Sequence, residues 1–233
     1  GAGTNRMNKY TVRKASQGLA NYIAKKGENA KKKGIVIAFD CRNKSQEFAL
    51  EAARVFAGNG ITAYLFDELR PTPELSFAVR FLNAAAGVVI TASHNPKEYN
   101  GYKVYGEDGA QMPLEGTNAV LEEINSIPDI TSVNLMDEDE AKKRGILKII
   151  GEEIDNEYIS RIKTLSLNPE AVEKVSDSFK IIYTPLHGTG NKPVRRILKE
   201  IGFKNVITVK EQEAPDPEFS TVKSPNPEDK SAF

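Results

Sequence analysis

The stretch Gly87-Val88-Val89-Ile90-Thr91-Ala92-Ser93-His94-Asn95-Pro96 decides how the rest of the chain is read. Residues 87–92 are small, apolar and rich in β-branched side chains, the composition of a strand covered on both faces. Asn95-Pro96 ends it, because proline has no amide donor and keeps the preceding residue out of the helical region. The sheet therefore stops at Ser93, whose hydroxyl is expected clear of the core with His94 beside it. Open α/β sheets gather their ligands at that edge. From spacing alone Ser93 is a candidate nucleophile, although a serine after a strand is more often a turn-former or a cap.

Outward from this strand, helical and extended patterns alternate. Upstream, Val12, Ala15, Leu19, Ala20 and Ile23 recur at helical spacing, with Asn8 or Thr11 as cap and Gly27 as the end. Lys31 to Lys33 read as a solvated lead-in to a buried strand, Ile35 to Phe39, which ends in Asp40-Cys41-Arg42-Asn43. A helix from Ser45 to Asn59 and a strand from Ile61 to Phe66 follow. Thr72-Pro73 then starts a helix carrying Leu75, Ala78, Val79 and Leu82. Downstream, Gly101 to Tyr105 reads as a short strand and Glu107-Asp108-Gly109 as a hairpin turn, which would make the sheet mixed. Helices at Leu114–Ile127 and Asp137–Gly145 complete the pattern. It predicts a three-layer α/β/α domain over residues 1–155.

Residues 156–233 read as an incomplete second α/β domain. Its expected parts are a helix from Glu157 to Leu165, a polar surface connection from Leu167 to Ser178, and a buried strand from Phe179 to Tyr183. A glycine-rich turn, Thr184-Pro185-Leu186-His187-Gly188-Thr189-Gly190, leads into a helix from Pro193 to Ile201 and a strand from Val206 to Val209. That turn lacks the lysine–serine/threonine pair of a nucleotide P-loop, and Pro193 stands where a dinucleotide fingerprint needs glycine. A tight strand-to-helix turn is favoured over direct phosphate binding, and for His187 an interface or turn residue is favoured over an acid/base catalyst. Composition alone would call the proline- and charge-rich tail from Glu211 disordered.

With 32 basic and 32 acidic side chains, net charge gives no reason for a nucleic-acid or membrane surface. Cys41 is the single cysteine, which rules out an intrachain disulfide and fits a reducing compartment. No apolar run reaches the length of a membrane span. The expected location is cytoplasmic, and the opening Gly1-Ala2-Gly3-Thr4 without methionine reads as a trimmed start.

Thr91-Ala92-Ser93-His94-Asn95-Pro96, followed by Asn100-Gly101-Tyr102-Lys103, resembles the phosphoserine loop of the α-D-phosphohexomutases, and most closely that of the phosphoglucomutase/phosphomannomutase enzymes. The resemblance spans nearly the whole chain. It implies that Ser93 carries a phosphoryl group, that Lys103 assists proton transfer, and that His94 positions phosphate or substrate, the last two roles being interchangeable on sequence alone. Asn95 and Arg6, the latter within Asn5-Arg6-Met7-Asn8, are implied to face phosphate. Asp40, Arg42 and Ser45 match a pattern that supports the site from behind.

The same resemblance implies hexose phosphates as substrates (glucose, mannose or both), glucose 1,6-bisphosphate as activator, and Mg2+ bound partly by the phosphate on Ser93. The family's Gly-Leu-Arg element upstream of Arg6 has no counterpart here, and neither does its Asp-x-Asp-x-Asp metal loop, expected shortly after Phe233. The tail motifs Pro215-Asp216-Pro217-Glu218-Phe219 and Ser224-Pro225-Asn226-Pro227-Glu228 resemble the approach to that loop. The chain thus reads as the N-terminal part of a mutase, inactive by itself. A non-catalytic binding or regulatory protein on the same domain is the alternative. A hydrolase using Ser93 and His94 is disfavoured, since adjacent residues seldom face one another and no orienting acid is evident.

Overall fold

The computed structural model describes residues 3, 4 and 6–232. Gly1, Ala2, Asn5 and Phe233, which the sequence reading placed in the opening loop and at the tail's end, lie outside the described residues. The first sheet has five strands: β1 (Ile35–Phe39), β2 (Ala63–Phe66), β3 (Ala86–Ile90), β4 (Tyr102–Gly106) and β5 (Leu147–Ile150). Their order is β4-β3-β1-β2-β5, and every pairing is parallel except β3 with the edge strand β4. The expected mixed sheet is therefore present.

The two central strands, β1 and β3, are buried along their whole length. Alternate residues feed two cores. Ile35, Ile37, Phe39, Val88 and Ile90 pack under the helices α1 (Lys9–Lys25), α3 (Ser45–Gly58) and α5 (Leu114–Ser126). Val36, Ala38 and Val89 face α4 (Thr72–Phe81) and Ile154 of α7 (Glu152–Lys163). This makes the three layers, with apolar strands covered on both faces. Gly87 permits the close approach of α4, since a Cβ there would stand 2.6 Å from Val79 Cγ2.

Local signals account for most helix ends. Asn8 and Thr11 both cap α1, forming a reciprocal box in which each side chain bonds the other's backbone amide. Pro73 lies in the first turn of α4, and Asp137 caps α6 (Glu138–Lys143). Three elements differ from the sequence reading. The Lys31–Lys33 run belongs to a short helix, α2 (Glu28–Lys33), with its lysines in the last turn. The supposed connection at 167–178 contains α8 (Pro169–Val175), begun by a proline. Strand β5 was not foreseen, because Lys148 interrupts its apolar pattern.

In the second region β6 (Lys180–Tyr183) pairs in parallel with β7 (Asn205–Thr208), joined by α9 (Asn191–Glu200). The expectation of a buried strand here is corrected: β6 alternates exposed and half-buried residues, and Ile182 is 75% exposed. Two strands with one packed helix cover only one face. Helix α7 lies against both α4 and α9. No helix among the described residues is long and apolar enough to cross a membrane.

Candidate active site

The strand order reverses between β1 and β3: the chain passes from β1 outward to β2, then returns across β1 to β3. In a doubly wound sheet the crevice at such a switch point is where ligands bind. Asp40 follows β1 and Ser93 follows β3, so both stand at its mouth. Their loops line a cleft of 440 Å³ whose opposite wall is the Tyr183–Leu186 and Gly188–Gly190 turn, with Phe219, Pro225 and Pro227 of the tail.

Ser93 adopts a left-handed conformation, φ 58°, and its amide donates to Thr91 Oγ1 at 3.0 Å. The residue is exposed. His94 Nδ1 lies 3.5 Å from Ser93 Oγ, the outer limit of a hydrogen bond. Leu186, His187 and Phe219 also have positive φ without being glycine. Such conformations are costly and gather where surrounding structure enforces them, often at functional sites.

The loop is held from beneath by Arg42, which is only 3% exposed. Its Nη1 donates to the carbonyls of Pro96 (2.8 Å) and Tyr99 (3.0 Å), and its Nη2 to those of Ser93 (3.0 Å) and Asn95 (2.6 Å). Arg42 Nε lies 3.2 Å from Asp40 Oδ2, an ion-pair contact without hydrogen-bond alignment. Asp40 is itself saturated: Oδ1 accepts from the Arg42 amide and Ser45 Oγ, and Oδ2 from Thr91 Oγ1. Asn100 Nδ2 donates to Ser45 Oγ. Asp40, Arg42 and Ser45 thus form the rigid floor of the Ser93 loop.

The remaining candidates are placed less closely. Asn95 gives its backbone to the loop, its amide donating to Ala92 O. Lys103 sits in β4 opposite Val89, on the α4 side of the sheet with Tyr105. It does not line the cleft, and no hydrogen bond or ion pair engages its side chain among the described residues. Arg6 lies exposed in the loop before α1, its carbonyl accepting from Thr11 Oγ1 and Asn8 Nδ2, outside the cleft lining.

Burial pushes the Cys41 thiol up to about 12, so it stays protonated and suits a packing role. His187 is buried with both ring nitrogens engaged, Nδ1 with Ala214 O (2.8 Å) and Nε2 with Thr221 Oγ1 (2.7 Å). Gly188 N–H closes the turn onto Pro185 O at 2.8 Å.

Sequence reasoning missed the contribution of the tail. Glu218 accepts from Asn43 Nδ2 (2.7 Å) and Lys97 Nζ (2.8 Å), and the Arg42 guanidinium carbon lies over the Phe219 ring, 5.3 Å from its centre. Asp216 shapes this turn by accepting from Ser220 Oγ and from the amides of Ser220 and Glu218. Those donors, the Ser220 hydroxyl foremost, draw its carboxyl down to about 2. The one available signal was an acid and an aromatic set between prolines.

A second cavity of 420 Å³ lies between the two regions and is bordered by Glu74, Arg70, Asp155 and Arg196. Arg70 grips Asp155 with Nε (2.7 Å) and Nη2 (2.8 Å).

Two family models match this chain. The α/β/α domain I of phosphoglucomutase/phosphomannomutase covers residues 1–130, and domain II of the same proteins covers residues 156–233. The chain belongs to the phosphoglucomutase/phosphomannomutase family. It is 40% identical over 234 residues to a phosphoglucomutase of Staphylococcus haemolyticus and 42% identical over 233 residues to one of Staphylococcus saprophyticus. All of this chain is matched in both cases, but it spans only 41% of either relative's length. Among solved structures, a putative phosphomannomutase from Thermus thermophilus superimposes with a TM-score of 0.75 at 24% identity, over 94% of this chain and 45% of the other. Parafusin, a phosphoglucomutase from Paramecium in its open form, gives 0.69 at 17% identity, over 91% of this chain and 41% of the other. At these identities the structural matches speak for the fold alone.

A magnesium ion needs several oxygen ligands in one place. No grouping of three or more His, Cys, Asp or Glu side chains able to hold a metal occurs among the described residues. Asp40, the carboxylate nearest the Ser93 loop, has both oxygens committed. The residues present do not by themselves fit the ion.

Proposed function

We propose that Ser93 is the phosphoryl carrier of a hexose-phosphate mutase of which this chain forms the first domain and part of the second. The observation that carries the reading is the placement of an exposed serine in left-handed conformation at the sheet's switch point, on a loop fixed by four bonds from one buried arginine. Phosphoryl transfer depends mainly on positioning and charge stabilisation, and a rigid floor beneath an exposed oxygen supplies the positioning.

In the proposed cycle a hexose bisphosphate (glucose 1,6-bisphosphate as activator) loses one phosphoryl group to Ser93 Oγ. The sugar O–P bond breaks, the serine O–P bond forms, the hydroxyl proton leaves to a base, and the released sugar oxygen takes up a proton to become a hydroxyl. The reverse transfer onto the other end of a hexose monophosphate completes an exchange between the 1- and 6-phosphates of glucose or mannose. A free serine is a weak nucleophile, so the base matters. Lys103 is assigned the proton by resemblance. His94, exposed beside Ser93 Oγ, is assigned to hold the phosphoryl oxygens, with Asn95 and Arg6 as further phosphate contacts. The magnesium of the full-length protein would draw one ligand from the phosphate on Ser93, and a cytoplasmic setting would supply the sugar phosphates.

The test is incubation of the full-length protein with a labelled hexose 1,6-bisphosphate, followed by peptide mapping. Label is expected on the peptide containing Ser93 and absent from Ser93→Ala. Label elsewhere, or retained in Ser93→Ala, would refute the assignment.

A further inference from the structure

The tail turn at 214–221 is tied to both halves of the cleft. Toward the first domain, Glu218 takes hydrogen bonds from Asn43 and from Lys97, the latter inside the Ser93 loop. Toward the second, His187 binds Ala214 O and Thr221 Oγ1 and meets the ring of Phe219 edge-on, with ring centres 6.4 Å apart. Phe219 stands at the centre, 6% exposed and held at φ 48°. Its other neighbour is Arg42, whose terminal nitrogens fix the carbonyls of Ser93, Asn95, Pro96 and Tyr99.

We propose that Phe219 is a positioning residue for Ser93, acting through Arg42. Four carbonyls converge on one guanidinium, so a small rotation of its plane disturbs all of them together. Asp40 stands at one edge of the guanidinium, and the central guanidinium carbon lies over the Phe219 ring, 5.3 Å from its centre. A desolvated guanidinium is attracted to an aromatic face, and a flat ring limits its tilt in a way that an aliphatic side chain does not. Because Phe219 belongs to the segment pinned by His187, the orientation of the Ser93 loop is linked to the seating of the second domain's tail. The functional importance of this device rests on Ser93 being the phosphoryl carrier, whereas the device itself can be measured without any phosphoryl transfer.

The experiment is amide hydrogen exchange by NMR on this chain, comparing wild type with Phe219→Leu and Phe219→Tyr. Leucine fills the apolar space without an aromatic face, and tyrosine restores the face. The Ser93 and Asn95 amides, bonded to Thr91 Oγ1 and Ala92 O, are expected to exchange about tenfold faster in Phe219→Leu. Tyrosine should return them to wild-type rates, and amides of β1 and β3 should stay unchanged in both variants. Wild-type loop protection in Phe219→Leu would overturn the proposal by reducing Phe219 to an apolar plug. Equal loss across β1 and β3 would overturn it as a general loss of folding. In the unmutated chain the Arg42 side-chain resonances must also show the upfield displacement of protons above an aromatic ring, and its absence would overturn the proposal even if Phe219→Leu did not fold.

Discussion

Glu74→Gln should stabilise the protein increasingly as pH rises from 5 to 8. Glu74 lies in the first turn of α4 and is 1% exposed. Burial pushes its carboxyl up, and the adjacent Asp155 carboxylate, to which it hydrogen-bonds, pushes it further; Arg70 and Arg196 pull the other way. The helix N-terminus also favours the anion, but by only about 0.3–1 kcal/mol. The result is a carboxyl that titrates at about 8 in place of 4.5. Tyr158 of α7 faces the same group and is itself raised by burial and by Glu74.

The sign follows from proton linkage. Between pH 4.5 and about 8 the folded chain keeps a proton that the unfolded chain has released. Stability from the protonated carboxyl is complete below 4.5 and is lost progressively as pH approaches about 8. At ~1.36 kcal/mol per pH unit the ceiling is about 5 kcal/mol. Relaxation around Arg70 raises the effective dielectric, which brings the expected value to about 2 kcal/mol. Glutamine has nearly the same shape and can donate to Asp155 at every pH. Urea unfolding at pH 5, 6, 7 and 8 should therefore show the variant level with wild type at pH 5 and about 2 kcal/mol more stable at pH 8. A difference independent of pH would refute the reasoning. So would growing destabilisation with pH, the pattern expected if Glu74 were an anion paired with Arg70.

Two further outcomes follow from packing. A Cβ at Gly18 would lie 2.3 Å from Ile124 Cγ1 and 2.9 Å from the Ile124 amide nitrogen, so Gly18→Ala should force α1 and α5 apart. The overpacking cost of about 1–3 kcal/mol should exceed the gain in helix propensity of about 1 kcal/mol, lowering the urea midpoint; an unchanged or higher midpoint would show that the contact yields. The second region buries only one face of its two strands and leaves Ile182 and Ile207 exposed, so amides of β6 and β7 should exchange faster than those of β1 and β3 in the monomer. Equal protection would show that the second region is as stable as the first.

The first domain was largely legible because its elements bury themselves against their own sheet, and that burial leaves a period in the sequence. Ile35–Phe39 and Ala86–Ile90 read as strands because both faces are covered, and α1, α3 and α4 read as helices because one stripe is. Strand β5 was lost because an edge strand can expose Lys148, and α8 because a short helix with no buried residue leaves no stripe. Ser93 itself was singled out through a motif, since periodicity can end a strand but cannot tell a reactive serine from a cap.

The floor beneath the serine was legible only as a resemblance, because Arg42 works through backbone carbonyls that any side chain would present. The tail illustrates the limit most clearly. A proline-rich, charged segment looks disordered when judged by what it can bury alone, yet Glu218 and Phe219 are fixed by partners more than 120 residues away in sequence. Where order comes from contacts between domains, the pattern belongs to neither segment separately. The same argument bears on Lys103: its register opposite Val89 is fixed by β4, but no hydrogen bond or ion pair of its side chain ties it to the Ser93 loop among the described residues.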